Sequence, residues 1–157
     1  MLYNEPLYRP PSEANSAIVQ VTLGCSWNQC LFCDMYHEKR FRLVPLQEVE
    51  NDLRTLSEYM PEARKLFLAD GDAFVLSYDK LRPILELAHS YFPALHRISA
   101  YALPRDIASK SPAELQAFWL EIRYRDACYW RNASWRQHLS YLSVFRYSRQ
   151  GVIDERR

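Results

Sequence analysis

Three cysteines fall within nine residues, Cys25-Ser26-Trp27-Asn28-Gln29-Cys30-Leu31-Phe32-Cys33, and this cluster constrains the chain more than any other feature. Three soft thiolate donors on one tight loop suit a single compact metal centre, and a [4Fe–4S] cube is the best match. Three protein ligands leave one iron open, as a reactive cluster needs. A structural zinc site would need a fourth donor, which His37 can supply as a Cys3His set. An electron-transfer cluster completed by Cys128, or three unliganded cysteines acting as small hydrophobes, are the remaining readings.

The chain around the cluster alternates strands and helices. The first sixteen residues, with Pro6, Pro10 and Pro11, form an irregular lead-in that cannot sustain a helix. Residues 17–22, AIVQVT, read as a buried strand, and Gly24 turns the chain into the cysteine loop. From Pro45, the apolar positions Leu46, Val49, Leu53, Leu56 and Met60 form one helical stripe, and Pro61 ends it. Residues 65–69, KLFLA, form a second strand that runs into the acidic turn Asp70-Gly71-Asp72.

A second helix starts near Ser77 or Asp79, buries Leu81, Ile84, Leu85 and Ala88, and stops before Pro93. Residues 97–102 are a third strand, and Ser111-Pro112-Ala113-Glu114 is a capping box opening a third helix through Leu115 and Phe118. The order predicts an α/β fold with a parallel sheet, about three βα units followed by an irregular or helical tail. Ligands of such folds gather at the carboxyl ends of the strands, where both the cysteine loop and the acidic turn fall.

Composition shifts near residue 118. From there to residue 157 the chain has eight arginines and no lysine, is dense in aromatics, and loses the strand–helix alternation. Only Gly24, Gly71 and Gly151 occur in the whole sequence, few for an α/β protein. The expectation is therefore three segments: a lead-in over 1–16, an α/β part over 17–117, and a tail over 118–157 that is either an out-of-frame ending or a helix with Leu139, Leu142, Val144 and Phe145 on one face. A formal charge of +1 makes no case for nucleic acid. With no long apolar run and no secretory pattern, the expected address is the cytoplasm without a membrane partner, where disulfides are not expected.

The stretch TLGCSWNQCLFCDMY, with FRLVPLQEV, KLFLADGDAF and ISAYALPRDI after it, resembles the radical SAM superfamily over roughly residues 17–117. The usual C-x3-C-x2-C motif becomes C-x4-C-x2-C here, and Phe32 matches the aromatic before the last cysteine. The resemblance implies a partial (β/α) barrel, with Cys25, Cys30 and Cys33 holding a [4Fe–4S] cluster whose open iron takes the amino and carboxylate groups of S-adenosylmethionine. One electron, from a donor such as flavodoxin or ferredoxin, then cleaves the sulfonium to a 5′-deoxyadenosyl radical, which takes hydrogen from a substrate of undefined identity. Phe32 would pack near the adenine, Gly71 would allow close backbone approach, and Asp72 would face the ammonium. Ser99 and Tyr101 would line the cavity.

No side chain is assigned a catalytic role, because the cofactors carry the hard chemistry. Arg105 and Asp106 read as a solvated ion pair, and Lys39, Arg40 and Arg42 as a wet basic surface.

Overall fold

The computed structural model describes residues 3–31 and 33–121 and the short strands at 125–126, 147–148 and 151–152. The chain divides into two compact units, Met1–Ala127 and Cys128–Arg157. Of the second, the described part is an antiparallel pair, Tyr147–Ser148 with Gly151–Val152. The Leu139-to-Phe145 face lies outside the described residues.

The first unit is mixed α/β. Strands β1 (Ala17–Gln20), β4 (Lys65–Ala69), β5 (Arg97–Ala102) and β6 (Arg125–Asp126) form a parallel sheet in that order. Each crossover carries a helix: α1 (Leu46–Tyr59), α2 (Tyr78–Tyr91) and α4 (Pro112–Glu121), with the short α3 (Pro104–Ala108) before the last. Helix α1 packs on β1 and α2, and α2 packs on α4, so the helices share one face. Among the described residues the sheet does not close into a barrel.

Period-two alternation splits the sheet into two unlike faces. Ala17, Val19, Leu66, Leu68, Ile98, Ala100 and Ala102 are buried on the helix side. Val49, Leu53 and Leu56 of α1 and Leu81, Ile84, Leu85 and Ala88 of α2 are buried as the helical spacing predicts. Each large aliphatic side chain so buried contributes about 1.5–3 kcal/mol. Leu46 and Met60, at the two ends of the α1 stripe, remain 45% and 38% exposed.

The opposite face aligns Ile18, Phe67 and Ser99 in one row across three strands. Tyr3 and Leu7 of the lead-in pack against Ile18, Phe67 and Ala69, and Tyr101 meets Phe67 edge-on at 5.1 Å. The lead-in is thus a strap: Tyr3 donates to the Ile18 carbonyl, and Asn4 exchanges two hydrogen bonds with the Gln20 amide. It also contains a 3-10 turn, Pro11–Glu13. The fully buried Glu13 carboxylate there accepts from Arg97 at 2.8 Å and from Ser16 at 2.6 Å.

The capping box is half made. Ser111 Oγ accepts from the Glu114 N–H at 3.2 Å, but the Glu114 carboxylate accepts instead from the N–H of Tyr78, the first residue of α2. One acidic side chain therefore caps a neighbouring helix. Phe118, at the expected composition boundary, is fully buried against Phe74 and Tyr78, with ring centroids 4.7 and 5.2 Å away.

Candidate functional site

The predicted strand over 17–22 is in fact two pieces. After β1, Thr22–Leu23 forms β2, which pairs antiparallel with β3, Arg42–Leu43. The cysteine loop is the long connection of this small ribbon. At its start Gly24 has φ +70°, and a Cβ there would lie 2.6 Å from the Lys39 carbonyl oxygen. The loop is therefore pinched shut where it begins and ends, a closeness that a side chain at residue 24 would forbid.

Within the loop Asn28 takes a left-handed conformation, φ 46°, and its amide donates to the Tyr36 carbonyl at 2.8 Å. The Cys33 N–H donates to the Cys30 carbonyl at 3.3 Å, setting those two cysteines on one turn. Cys25, Cys30 and Cys33 are free and half-buried. Phe32 lies outside the described residues. His37 is exposed.

The acidic turn folds directly onto this loop. The Gly71 N–H donates to the Gly24 carbonyl at 3.2 Å. A Cβ on Gly71 would lie 2.6 Å from the Tyr36 ring and 3.1 Å from Cys25 Cβ, so only glycine lets the turn come this close. Asp72 is fully buried, and one carboxylate oxygen accepts from the Ser26 hydroxyl, which accepts in turn from Arg105. Arg105 also lies 4.0 Å from Asp72, 3.5 Å from Asp106, and with its guanidinium 4.9 Å from the Trp27 ring centre.

Two sequence expectations are corrected at this edge. Asp106 is 7% exposed, because α3, invisible in the sequence, turns it inward. Asp106 is therefore part of the packed edge, whereas Arg105, 43% exposed, stays open to solvent as a surface partner would. Lys39 is no wet surface charge either: it is 8% exposed, 2.7 Å from Asp70, and donates to the Asn4 and Pro6 carbonyls.

Electrostatics at the edge are unbalanced. Burial, opposed by the Ser26 hydrogen bond and reinforced by the Asp106 carboxyl, pushes the Asp72 carboxyl up to about 7. One oxygen each of Asp72 and Asp106 is buried without a partner. A shared proton or a cationic ligand group would satisfy both. Burial also raises the Cys25 and Cys30 thiols, and neighbouring cysteines add to the shift at Cys30.

Among the described residues no group of three or more His, Cys, Asp or Glu side chains is gathered as metal ligands would be. Three free thiols on one loop are the donor type that a soft metal centre would use. At Cys25 and Cys30 the neighbouring thiols add to the cost of ionisation, which a bound cationic centre would offset.

Ser99 sits deeper than the loop. It is 1% exposed, its hydroxyl has no partner, and it pairs in register with Phe67, two residues short of the end of β4. Tyr101, one step nearer the carboxyl edge on the same face, is half-buried. Ser26 and Trp27 had no signal in the sequence beyond lying between the cysteines. A cleft of about 590 Å3, lined by Tyr3, Leu7, Arg9, Ser16, Leu56 and Met60 among others, opens by the amino end of β1, away from this edge. No protein-family model, no curated protein and no solved structure matches the chain.

Proposed function

We propose that the chain is a radical SAM-type enzyme, or the amino-terminal part of one, with Cys25, Cys30 and Cys33 as ligands of a [4Fe–4S] cluster and S-adenosylmethionine as the second cofactor. One observation carries the proposal. The cysteine loop and the Gly71-Asp72 turn, 46 residues apart at the Ser26–Asp72 contact, form one site at the carboxyl edge of a parallel sheet. Consecutive strands lie side by side with their helices on one face, the sequential winding that barrels use. That winding supports a partial radical SAM barrel as the finer description.

In this site the three cysteines would hold the cluster. Gly71, its N–H already held by the Gly24 carbonyl, would let the turn approach the cofactor without a side chain in the way, and Asp72 would meet an ammonium with its unpartnered oxygen. Asp106 places a second carboxyl there, while Arg105 and Ser26 fix the Asp72 carboxylate. The bound cofactors would supply one-electron cleavage of the sulfonium to a 5′-deoxyadenosyl radical, with flavodoxin or ferredoxin as electron donor. Tyr101, Phe67 and Ser99 would line the face toward which that chemistry is directed.

A Cys3His zinc module is the competing function, and exposed His37 gives it little support. Anaerobic reconstitution with iron and sulfide tests both. About four irons per chain, a reduced-cluster EPR signal altered by S-adenosylmethionine, and release of 5′-deoxyadenosine are expected. Stoichiometric zinc with no iron uptake would overturn the proposal. A cluster without cofactor cleavage would restrict it to cluster binding.

A further inference from the structure

The carboxylate of Asp70 plays no part in the ligand contacts above, yet it is fully buried and made almost wholly of contacts to one loop. Its Oδ2 accepts from the Gly24 N–H at 3.1 Å and from Lys39 Nζ at 2.7 Å. Gly24 opens the cysteine loop and Lys39 closes it. Its Oδ1 and the Tyr36 hydroxyl are both buried without a partner. Burial first, and then the charge of Asp70, raise the Tyr36 phenol. Lys39 also lies 5.6 Å from the centre of the Tyr36 ring, and that ring backs Gly71.

Two points of the loop, one before the first cysteine and one after the last, therefore converge on a single carboxylate, and Lys39 carries the link on to the Tyr36 ring. That carboxylate is set by the strand end itself, because the Asp70 N–H donates to Thr22 at 3.2 Å, and Gly71-Asp72 follows directly.

We propose that Asp70, through Lys39 and Tyr36, is the positioning residue that holds the cysteine loop in a metal-ready shape and sets it against the Gly71-Asp72 turn. Asp70 touches neither thiol chemistry nor cofactor; it acts through the two ends of the loop. A buried ion pair is an expensive way to gain stability, since an apolar pair of similar volume often does as well. Its value here is geometric: one acceptor fixes the loop entrance and exit together. The proposal rests on the cysteines acting as joint ligands, and its test separates that reading from its own.

The probe is phenylarsine oxide, whose trivalent arsenic bridges two thiols with release of water. It is titrated into cluster-free full-length chain carrying Cys128→Ser, so that the loop supplies the only thiols. Single variants K39M and D70N each leave a buried charge uncompensated and are expected to lose stability. The double variant K39M/D70N removes both charges and recovers much of that loss. Urea unfolding measures the recovery, and Y36F serves as a milder variant that folds whatever the charge changes do.

If Asp70 positions the loop, the double variant binds the arsenical about tenfold more weakly despite its recovered stability, because the effective concentration of one thiol near another has fallen. Y36F weakens it by a smaller factor. Arsenical affinity equal to wild type in both the double variant and Y36F would overturn the proposal, as would affinity that only tracks stability. Iron loading of the same proteins keeps the two readings apart. Weak iron uptake by the wild type with strong, Asp70-dependent arsenical binding would sink the cluster and leave the clamp standing. Normal iron uptake by all variants would do the reverse.

Discussion

The two sides of the first unit are built on opposite terms. Under the helices the sheet presents alanine, valine, leucine and isoleucine, and no charged residue is buried there by α1 or α2. At the carboxyl edge, Lys39, Asp70, Asp72 and Asp106 are all buried beside the loop that carries three half-exposed cysteines, and three carboxylate oxygens among them lack partners. Apolar packing tolerates no such leftovers unless something is gained by them. The helix side stabilises the fold, and the edge spends part of that stability on a prepared arrangement of charge.

The sharpest break between the sides is expected from Cys30→Ala. Iron uptake should fall from about four per chain to near zero, with the urea midpoint almost unmoved because the thiol is only half-buried. Cys128→Ala should load normally; loss of iron in that variant alone would mean that the ligand set is wrong. Leu53→Ala should do the opposite. The side chain is fully buried in α1, so its removal should cost about 2–5 kcal/mol in chemical denaturation. Iron bound per folded molecule should not change, and a matching drop in loading would erase the distinction between the two sides.

Gly71→Ala should touch both sides modestly. The added methyl presses on Tyr36 and Cys25, costing about 1–3 kcal/mol. Where the cofactor reading holds, binding of S-adenosylmethionine measured by calorimetry on reconstituted protein should weaken as well.

The last expected effect is a slope. With the Asp72 carboxyl raised to about 7, the native cluster-free chain keeps a proton that the unfolded chain has lost between about pH 4 and 7. Stability should therefore fall as pH rises through that window and level off above it, by at most about 1.4 kcal/mol per pH unit. Asp72→Asn should flatten the profile. An unchanged slope in that variant would mean that another group carries the proton.

What could be seen in the sequence divides along the same line. The buried positions of α2, Leu81, Ile84, Leu85 and Ala88, follow from spacing alone, and strands 65–69 and 97–102 begin and end where the apolar runs do. These features are local, so a local pattern reports them. The burial of Lys39 depends on a carboxylate 31 residues away, and that of Asp106 on a single short helical turn. No periodicity carries that information.

The early end of β1 has a related cause. Val21 still donates its N–H to the Ala69 carbonyl as a rung at the end of β4, but its own carbonyl accepts from Val44 and Thr22 turns to pair with Leu43, so one run of β-branched residues serves two sheets. The capping box fails in the same way: the motif is present, yet the Glu114 carboxylate finds a better use on α2. Of the candidate site, the cysteines and Gly71-Asp72 were legible as motifs, while the Ser26, Arg105 and Lys39 contacts that join them were not.

The strap has a practical consequence at the bench. Asn4 and Pro6 supply two of the three oxygens around the Lys39 ammonium, and Tyr3 and Asn4 cover the outer strand of the sheet. Trimming the chain back to residue 8, or fusing a bulky affinity tag at its front, would bare that strand to neighbouring molecules and loosen the lysine at once. Preparations differing only in which end carries the tag should then differ in both solubility and iron content, with the rear-tagged protein the better behaved.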